Sequence, residues 1–443
     1  MKNIKIFTNN IEQEATNQIN ELLDQEVFKD SKIRIMPDVH AGKGCVIGFT
    51  GDLGNKVIPN IVGVDIGCGM LCVELGNIDL ERLDKIIREY VPSGMNVHEN
   101  QRYKFLELEQ LYCYKLLKNK DNWLEKSMGT LGGGNHFIEI DVDEDDNKYL
   151  VIHTGSRNLG KQVAEIYQEK AIKYCSYEDE MKEAKQKLIK EYKEQHREKE
   201  IQDKLIEISK KYEGKTKLPK DLCYLEKDLR SQYLYDMRIC QEFAKDNRLS
   251  IAKQILCNYF ELPYYEGYKS VRLREKAISP CDWYTQDMIE KDFWYFETIH
   301  NYISFEDNIV RKGAISAKKG EMVLIPMNMR DGCIIGTGKG NDDWNCSAPH
   351  GAGRIMSRIK AKETFNLEEY KESMKNIYTT SVNENTIDEA PMVYKSLDDI
   401  IDVINESVDI IEVIKPVFNF KASEDQRPWK KEGGESNGKA DLQ

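Results

Sequence analysis

Three hydrophobic patterns alternate along the chain. Short β-branched runs that stop at polar or glycine residues fill the first 75 residues. KIRIMPDVH (32–40) and NIVGVDIGCGMLCVEL (60–75) read as strands joined by glycine turns. Leu80 to Tyr90 and Tyr103 to Lys118 carry helical spacing. KYLVIHTGSRNLG contains a buried strand, Tyr149 to Ile152, that ends at a histidine and a turn. Residues 161 to about 250 read as helix. Within them Ile201, Leu205, Ile208 and Tyr212 fall on one face. Residues 176–230 hold 14 acidic and 15 basic side chains, the pattern of a solvated helix pair, and YEGKTKLP breaks it into a hairpin. Strands return with EMVLIPM and GCIIGTG, and 422–443 reads as an unstructured, charged tail. Strands and helices are mixed, and the candidate chemistry runs from residue 38 to beyond 350. An α+β chain with one integrated domain is therefore expected over 1–421, with a helical hairpin inserted at about 165–250.

Composition narrows the class. The 443 residues carry a net charge of −12, and no apolar run is long enough to span a bilayer. MKNIKIFTNN lacks the apolar core of a signal peptide. The 11 cysteines are irregularly spaced and include no C-x-x-C pair, which points to a reducing cytoplasm and away from a disulfide framework. An acidic chain does not hold nucleic acid over its whole surface. Arg311 to Lys362 is the exception, with ten Lys/Arg against four Asp/Glu. Beside a glycine-rich loop, that basic stretch suits phosphate.

Of the seven histidines, His98 and His196 lie in polar surroundings without further signal. His40, His136, His153 and His350 lie at strand ends or glycine- or proline-marked turns, and His300 follows an aromatic run. Asp65 and Cys68 are three residues apart, a spacing that aims a carboxylate and a thiolate at one point on a turn. His136, His153 and His300 would complete two metal sites if Cys68 bridges them. By affinity alone such a set takes zinc or cobalt before manganese. His350 alone reads equally well as a loop histidine capping a helix that begins at Gly351. The usual nucleotide motifs are missing: the P-loop pattern ahead of Gly338-Lys339 has Cys333 in place of glycine and Gly340 in place of Ser or Thr.

MPDVHAGKGCVIG, GVDIGCGM, GTLGGGNHFIEI, VIHTGSRNLG, IHNY and APHGAGR follow one another in the order and rough spacing of the RtcB RNA ligases, and the chain resembles that family over most of its length, including YLYDMRICQEFAKDNR. The resemblance implies an RtcB-like domain with mixed β-sheets at its core, and a GTP- and manganese-dependent ligase. It would join an RNA 3′-phosphate or 2′,3′-cyclic phosphate end to a 5′-hydroxyl end. It implies Asp65, Cys68, His136, His153 and His300 as ligands of two Mn(II) ions, with Cys68 bridging, and His350 as the nucleophile that becomes His-GMP. Asn135, Phe137, Glu139, Asn301, Pro326, Asn328, Met329, Gly351, Ala352, Gly353 and Lys421 match nucleotide-contacting positions. Arg157 and Arg354 match phosphate contacts, and Asp38 and His40 a pair near the RNA ends. Two places depart from the family pattern. PMNM (326–329) stands where the family has Pro-Gly-Ser-Met, and Lys421 is followed by 22 residues where the family's lysine lies almost at the end. Both bear on preference for GTP over ATP.

The expected partner is broken RNA, with a helper protein as a further candidate, a monomer as the expected state and no membrane. The competing reading is a binuclear metallohydrolase acting on RNA cyclic phosphates, which would use the same ligands without a covalent histidine. A non-catalytic RNA-binding protein would have no need of an intact ligand set.

Overall fold

A computed structural model describes residues 3–102, 104–213, 218–262, 271–275 and 291–421. The tail expected at 422–443 lies outside the described residues, as does Tyr103. The strands are β1 (Ile4–Ile6), β2 (Ile33–His40), β3 (Ile47–Asp52), β4 (Lys56–Val57), β5 (Gly69–Leu75), β6 (Phe137–Val142), β7 (Lys148–Thr154), β8 (Leu225–Glu226) and β9 (Val271–Glu275). They continue with β10 (Lys291–Ile299), β11 (Asn301–Ile303), β12 (Ile309–Lys312), β13 (Ala314–Ser316), β14 (Met322–Asn328), β15 (Gly332–Gly338), β16 (Ser347–Pro349), β17 (Tyr378–Thr379) and β18 (Val408–Lys421). The helices are α1 (Gln13–Leu23), α2 (Pro59–Val62), α3 (Leu80–Tyr90), α4 (Arg157–Ser176), α5 (Glu178–Glu194), α6 (Ile201–Glu213), α7 (Lys227–Tyr259), α8 (Arg358–Thr364), α9 (Leu367–Ser373) and α10 (Leu397–Ile404).

Two sheets make the frame, an α+β arrangement. The larger runs β14-β15-β18-β6-β7-β5-β10-β9, with β17 on β18. Alternation along its strands feeds two cores. Leu71, Val73, Ile138, Ile140, Leu150, Ile152, Phe418 and Phe420 point outward under α3 and α7. Met70, Cys72, Tyr149, Val151, Phe296, Leu324, Cys333 and Ile414 point the other way and pack on one another. That inner cluster forms because the sheet curls until β10 meets β14, where the Thr298 hydroxyl reaches the Leu324 carbonyl at 3.4 Å. The smaller sheet runs β1-β2-β3-β12-β11.

The long helical stretch divides by burial. In α7 the residues Tyr233, Met237, Cys240, Ala244, Asn247, Ile251 and Ile255 recur at three- to four-residue spacing and are all buried. Leu159, Val163, Tyr167 and Ala171 do the same for α4. The helices α5 and α6 instead pack on each other, with Ile201, Leu205, Ile208 and Tyr212 only half-buried along their shared seam.

Three expectations about local structure change. The helical hairpin is α5 with α6 and turns at 195–200, ahead of YEGKTKLP, where a short connection reverses the chain before α6. The first 75 residues include α1, whose Ala15, Ile19 and Leu22 form a buried stripe among polar residues. The stretch expected as a helix to Lys118 is a series of tight turns, at Leu106–Gln110 and Tyr114–Leu116. Asp236 of α7 accepts the amides of Tyr112 at 2.8 Å and Cys113 at 3.0 Å. A tertiary carboxylate therefore takes the donors that a continuing helix would bond to its own carbonyls.

Candidate active site

Five side chains from four separate segments converge at one end of the curled sheet. Asp65 and Cys68 share the turn between α2 and β5, where the Cys68 amide donates to the Asp65 carbonyl at 3.2 Å. His136 immediately precedes β6, His153 lies in β7 and His300 joins β10 to β11. The Cys68 Sγ is 3.5 Å from His136 Nε2 and 3.3 Å from His153 Nε2. His136 Nε2 is 3.0 Å from Asp65 Oδ2, and His153 Nε2 is 3.4 Å from His300 Nε2. The donor atoms thus form two triads, Asp65–Cys68–His136 and Cys68–His153–His300, each within 4.8 Å and sharing the sulfur.

Backbone carbonyls fix two of the rings. His136 Nδ1 donates to Leu131 O at 3.0 Å and His153 Nδ1 to Asn135 O at 3.1 Å, so Nε2 carries the lone pair in each. Burial pushes His153 and His300 well below the usual imidazole range, and the neighbouring histidines add to it. Burial, reinforced by Asp65, holds the Cys68 thiol well above its ordinary value. At Asp65 burial pulls upward, but His136 prevails and the carboxyl sits at about 2. Neutral imidazoles, one carboxylate and a thiol that needs a cation to lose its proton fit divalent metal.

The helix α7 holds this turn in place. Arg248, fully buried, donates from Nη1 to Gly67 O and Thr154 O, each at 2.8 Å, and from Nε to Glu297 at 2.6 Å. Asn247 accepts from the amides of Gly129 and Thr130 and donates to Gly155 O at 3.1 Å. Gly155 allows the close approach, since a Cβ there would lie 2.2 Å from Asp65 Oδ1. Neither Asn247 nor Arg248 was anticipated from the sequence, although DNR closes a motif-bearing block.

His350 follows β16. Its Nδ1 lies 2.6 Å from Asp38 Oδ2, and its amide donates to the same oxygen at 3.2 Å. The ring centroid is 4.9 Å from that of His300. Asp38 is fully buried and engages Nδ1, so Nε2 is the nitrogen left for chemistry. The loop after His350 is not helical, and α8 begins only at Arg358, capped by Ser357. Gly353, at φ 75°, lets this loop pass over β2, because a Cβ would meet Asp38 O at 2.5 Å.

His153, His300 and His350 open onto a cavity of about 880 Å³. Asn135, Phe137, Glu139, Pro326, Asn328 and Met329 line it. So do Gly351, Ala352, Gly353, Lys421, His40 and Arg354. Asn301, Arg157 and Asp38 do not. Asn301 accepts from the Gly313 amide at 2.9 Å. Arg157 donates to Thr130 Oγ1 and Gly94 O, both at 2.9 Å, and burial lowers its guanidinium to about 10. Asn328 lines the cavity with its amide already engaged. It donates to Asp331 at 2.8 Å and accepts from the amides of Arg330 and Asp331.

One buried carboxylate organises the far wall. Glu389 pairs with Lys421 Nζ at 2.5 Å, with Arg358 at 2.5 Å and with Arg354 at 3.7 Å, and accepts from the Tyr394 hydroxyl at 2.7 Å. Burial works against it, but Lys421 and Arg358 hold its carboxyl at about 2. Glu389, Tyr394 and Arg358 line the cavity and went unnoticed in the sequence. The only signal was an acid pair, Asp388-Glu389, far from a basic stretch that lacked counter-ions.

The family model described as tRNA-splicing ligase RtcB matches residues 25–125 and 113–422. The chain is 30% identical over 447 residues to the RNA-splicing ligase RtcB of Escherichia coli K12, covering 94% of this chain and 97% of that protein. It is 25% identical to the tRNA-splicing ligase RtcB of Nanoarchaeum equitans, covering 84% of each. No helix among the described residues is long and apolar enough to cross a membrane.

Proposed function

The chain belongs to the RtcB family, and from that premise we propose that it is an RNA ligase that uses GTP and two manganese ions to join 3′-phosphate or 2′,3′-cyclic phosphate ends to 5′-hydroxyl ends. The observation that carries this reading is the position of His350. Its ring is held at Nδ1 by buried Asp38, lies tilted beside that of His300 and faces a cavity large enough for a nucleotide.

Asp65, Cys68 and His136 would hold one cation, and Cys68, His153 and His300 the other. When bound, the cations supply positive charge to offset that of the phosphates. The protein's own groups do the rest. Asp38 keeps the His350 proton on Nδ1 and leaves a lone pair on Nε2, so the ring needs no separate base. Nε2 bonds to the α-phosphorus of GTP as pyrophosphate leaves. His350 then passes GMP to the RNA 3′-phosphate, and the 5′-hydroxyl displaces it. Gly351, Ala352 and Gly353 keep the wall beside His350 free of bulk. Lys421 and Arg354 supply cationic groups across the cavity.

Radiolabelled GTP with Mn(II) tests the assignment. Wild type should become labelled in an acid-labile, alkali-stable bond, as a phosphoramidate requires. His350→Ala should bind metal and take no label. Asp38→Asn should label roughly 10²-fold more slowly or worse, because Nδ1 loses the carboxylate that sets its tautomer. Label that persists in His350→Ala would place the nucleophile elsewhere.

A further inference from the structure

Inside the curled sheet, apart from the cluster around Cys68, lies a second group of ligand-type side chains. Glu139 and Asp141 are two residues apart on β6 and share its inner face. Cys333 comes from β15 and Asn419 from β18, the strand between. The register of β18 against β6 shifts between Pro416 and Phe418, beside Asp141. All four residues are 2% exposed or less. Ligand atoms of Glu139, Asp141 and Cys333 lie within 4.8 Å of one another.

The group is rich in acceptors and poor in donors. Asn419 Nδ2 donates to Glu139 Oε2 at 2.5 Å. Both oxygens of Asp141 and the Oδ1 of Asn419 are buried with no hydrogen-bond partner. Among the described residues neither carboxylate has an ion-pair partner, and the nearby Lys421 is committed to Glu389. Uncompensated acceptors in a buried interior cost several kcal/mol in general. A proton shared between Glu139 and Asp141 would satisfy one oxygen on each. With the Cys333 thiol donating to the second Asp141 oxygen, it would still leave the Asn419 carbonyl without a donor. A single cation bound by carboxylates, thiolate and amide oxygen would satisfy all of them together. Ligands of one such ion lie about 2.0–2.3 Å from it, so atoms within 4.8 Å need move only by tenths of an ångström to share it.

We propose that Glu139, Asp141 and Cys333, with the Asn419 carbonyl, form a third divalent-cation site, inside the curled sheet and distinct from the Cys68 cluster. The site ties β6, β18 and β15 together. The sulfur and oxygen donors favour zinc or cobalt over calcium or magnesium. Glu139 also lines the main cavity, which gives the ion its entry path and couples its binding to the cavity floor. The inference uses no step of catalysis, but it shares Glu139 with the nucleotide cavity of the ligase reading, so its test rests on Asp141 and Cys333.

The test is a metal count on the full-length protein, stripped with chelator, reloaded with Zn(II) and freed of excess. Asp141→Asn and Cys333→Ala should each hold one ion fewer than wild type. Cys68→Ala should keep that ion. Co(II)-loaded Cys68→Ala should show a near-ultraviolet thiolate-to-cobalt band that a further Cys333→Ala removes. Equal metal content in wild type and folded Asp141→Asn would overturn the proposal. So would a thermal midpoint that rises in Asp141→Asn with the count unchanged, since the carboxyls would then carry protons and no ion. If Cys68→Ala does not fold, the comparison of wild type with the near-isosteric Asp141→Asn decides by itself.

Discussion

The cavity has two walls, built on different principles. The wall carrying His153 and His300, with Asp65, Cys68 and His136 behind it, is made from strand ends and the turns beside them. Its rings are anchored to backbone carbonyls, and its main turn is pinned by Arg248 and Asn247. The facing wall, from Arg354 to Arg358 and from Glu389 to Tyr394, consists largely of irregular chain. It is held by ion pairs to one buried carboxylate, Glu389. The first wall sets atoms to tenths of an ångström through a hydrogen-bonded sheet. The second depends on charge balance, and a single neutral substitution can unbalance it.

Cys68→Ala should produce the largest effect, confined to the first wall. Removing the shared sulfur should release both ions of that cluster, leaving at most the one assigned to Asp141 and Cys333, and should abolish labelling by GTP. The thermal midpoint of the metal-free protein should change little, because Cys68 lies between ligands and not among the main apolar contacts. Retention of both cluster ions by elemental analysis would show that the thiolate is not their bridge.

Glu389→Gln should strike the second wall. It leaves Lys421, itself buried, without its carboxylate, and breaking such a pair costs about 3 kcal/mol. Metal content should stay at the wild-type level, and the concentration of nucleotide needed for labelling should rise. The pH dependence has a definite sign. The carboxyl at about 2 lies below its ordinary 4.5. Its stabilising contribution is therefore complete above about pH 4.5 and disappears as the pH falls toward 2. The stability gap between wild type and Glu389→Gln, measured by denaturant unfolding, should narrow across that window. A gap that stays constant down to pH 2 would mean that the charge on Glu389 is not what holds the wall.

The difference between the walls also explains what the sequence disclosed. Candidate metal ligands at strand ends leave short local traces, such as an Asp and a Cys three apart or a histidine after glycines, and the structure gathers those five residues at one point. The core strands were legible for the same reason, since alternation is local. Glu389 has no such trace, because its ion-pair partners lie 31, 32 and 35 residues away in sequence and meet it only in the folded chain. Asp236 is a similar case: from α7 it turns an expected helix into tight turns. The charged stretch of residues 176–230 shows the limit of composition. Its solvated character is right for α5 and α6, but composition gave no sign that α7, starting at Lys227, would bury Asn247 and Arg248 behind the candidate ligands.

The smallest expected effect separates the partners of Glu389 by burial. Arg358 and Lys421 both stand 2.5 Å from that carboxylate, so distance alone would rank them equally. Their surroundings differ: the Arg358 side chain is 48% exposed and that of Lys421 is 4% exposed. Water already solvates much of the guanidinium, and an exposed partner of this kind contributes about 1 kcal/mol or less. Truncating Arg358 also leaves Glu389 paired with Lys421 and hydrogen-bonded to Tyr394. Arg358→Ala should therefore lower the thermal midpoint by only about 1–2 °C. Lys421→Met strips the same carboxylate of its buried counter-ion and should lower it by several times as much. Equal shifts in the two variants would mean that the wall responds to the number of charges around Glu389, and not to how deeply each pair is buried.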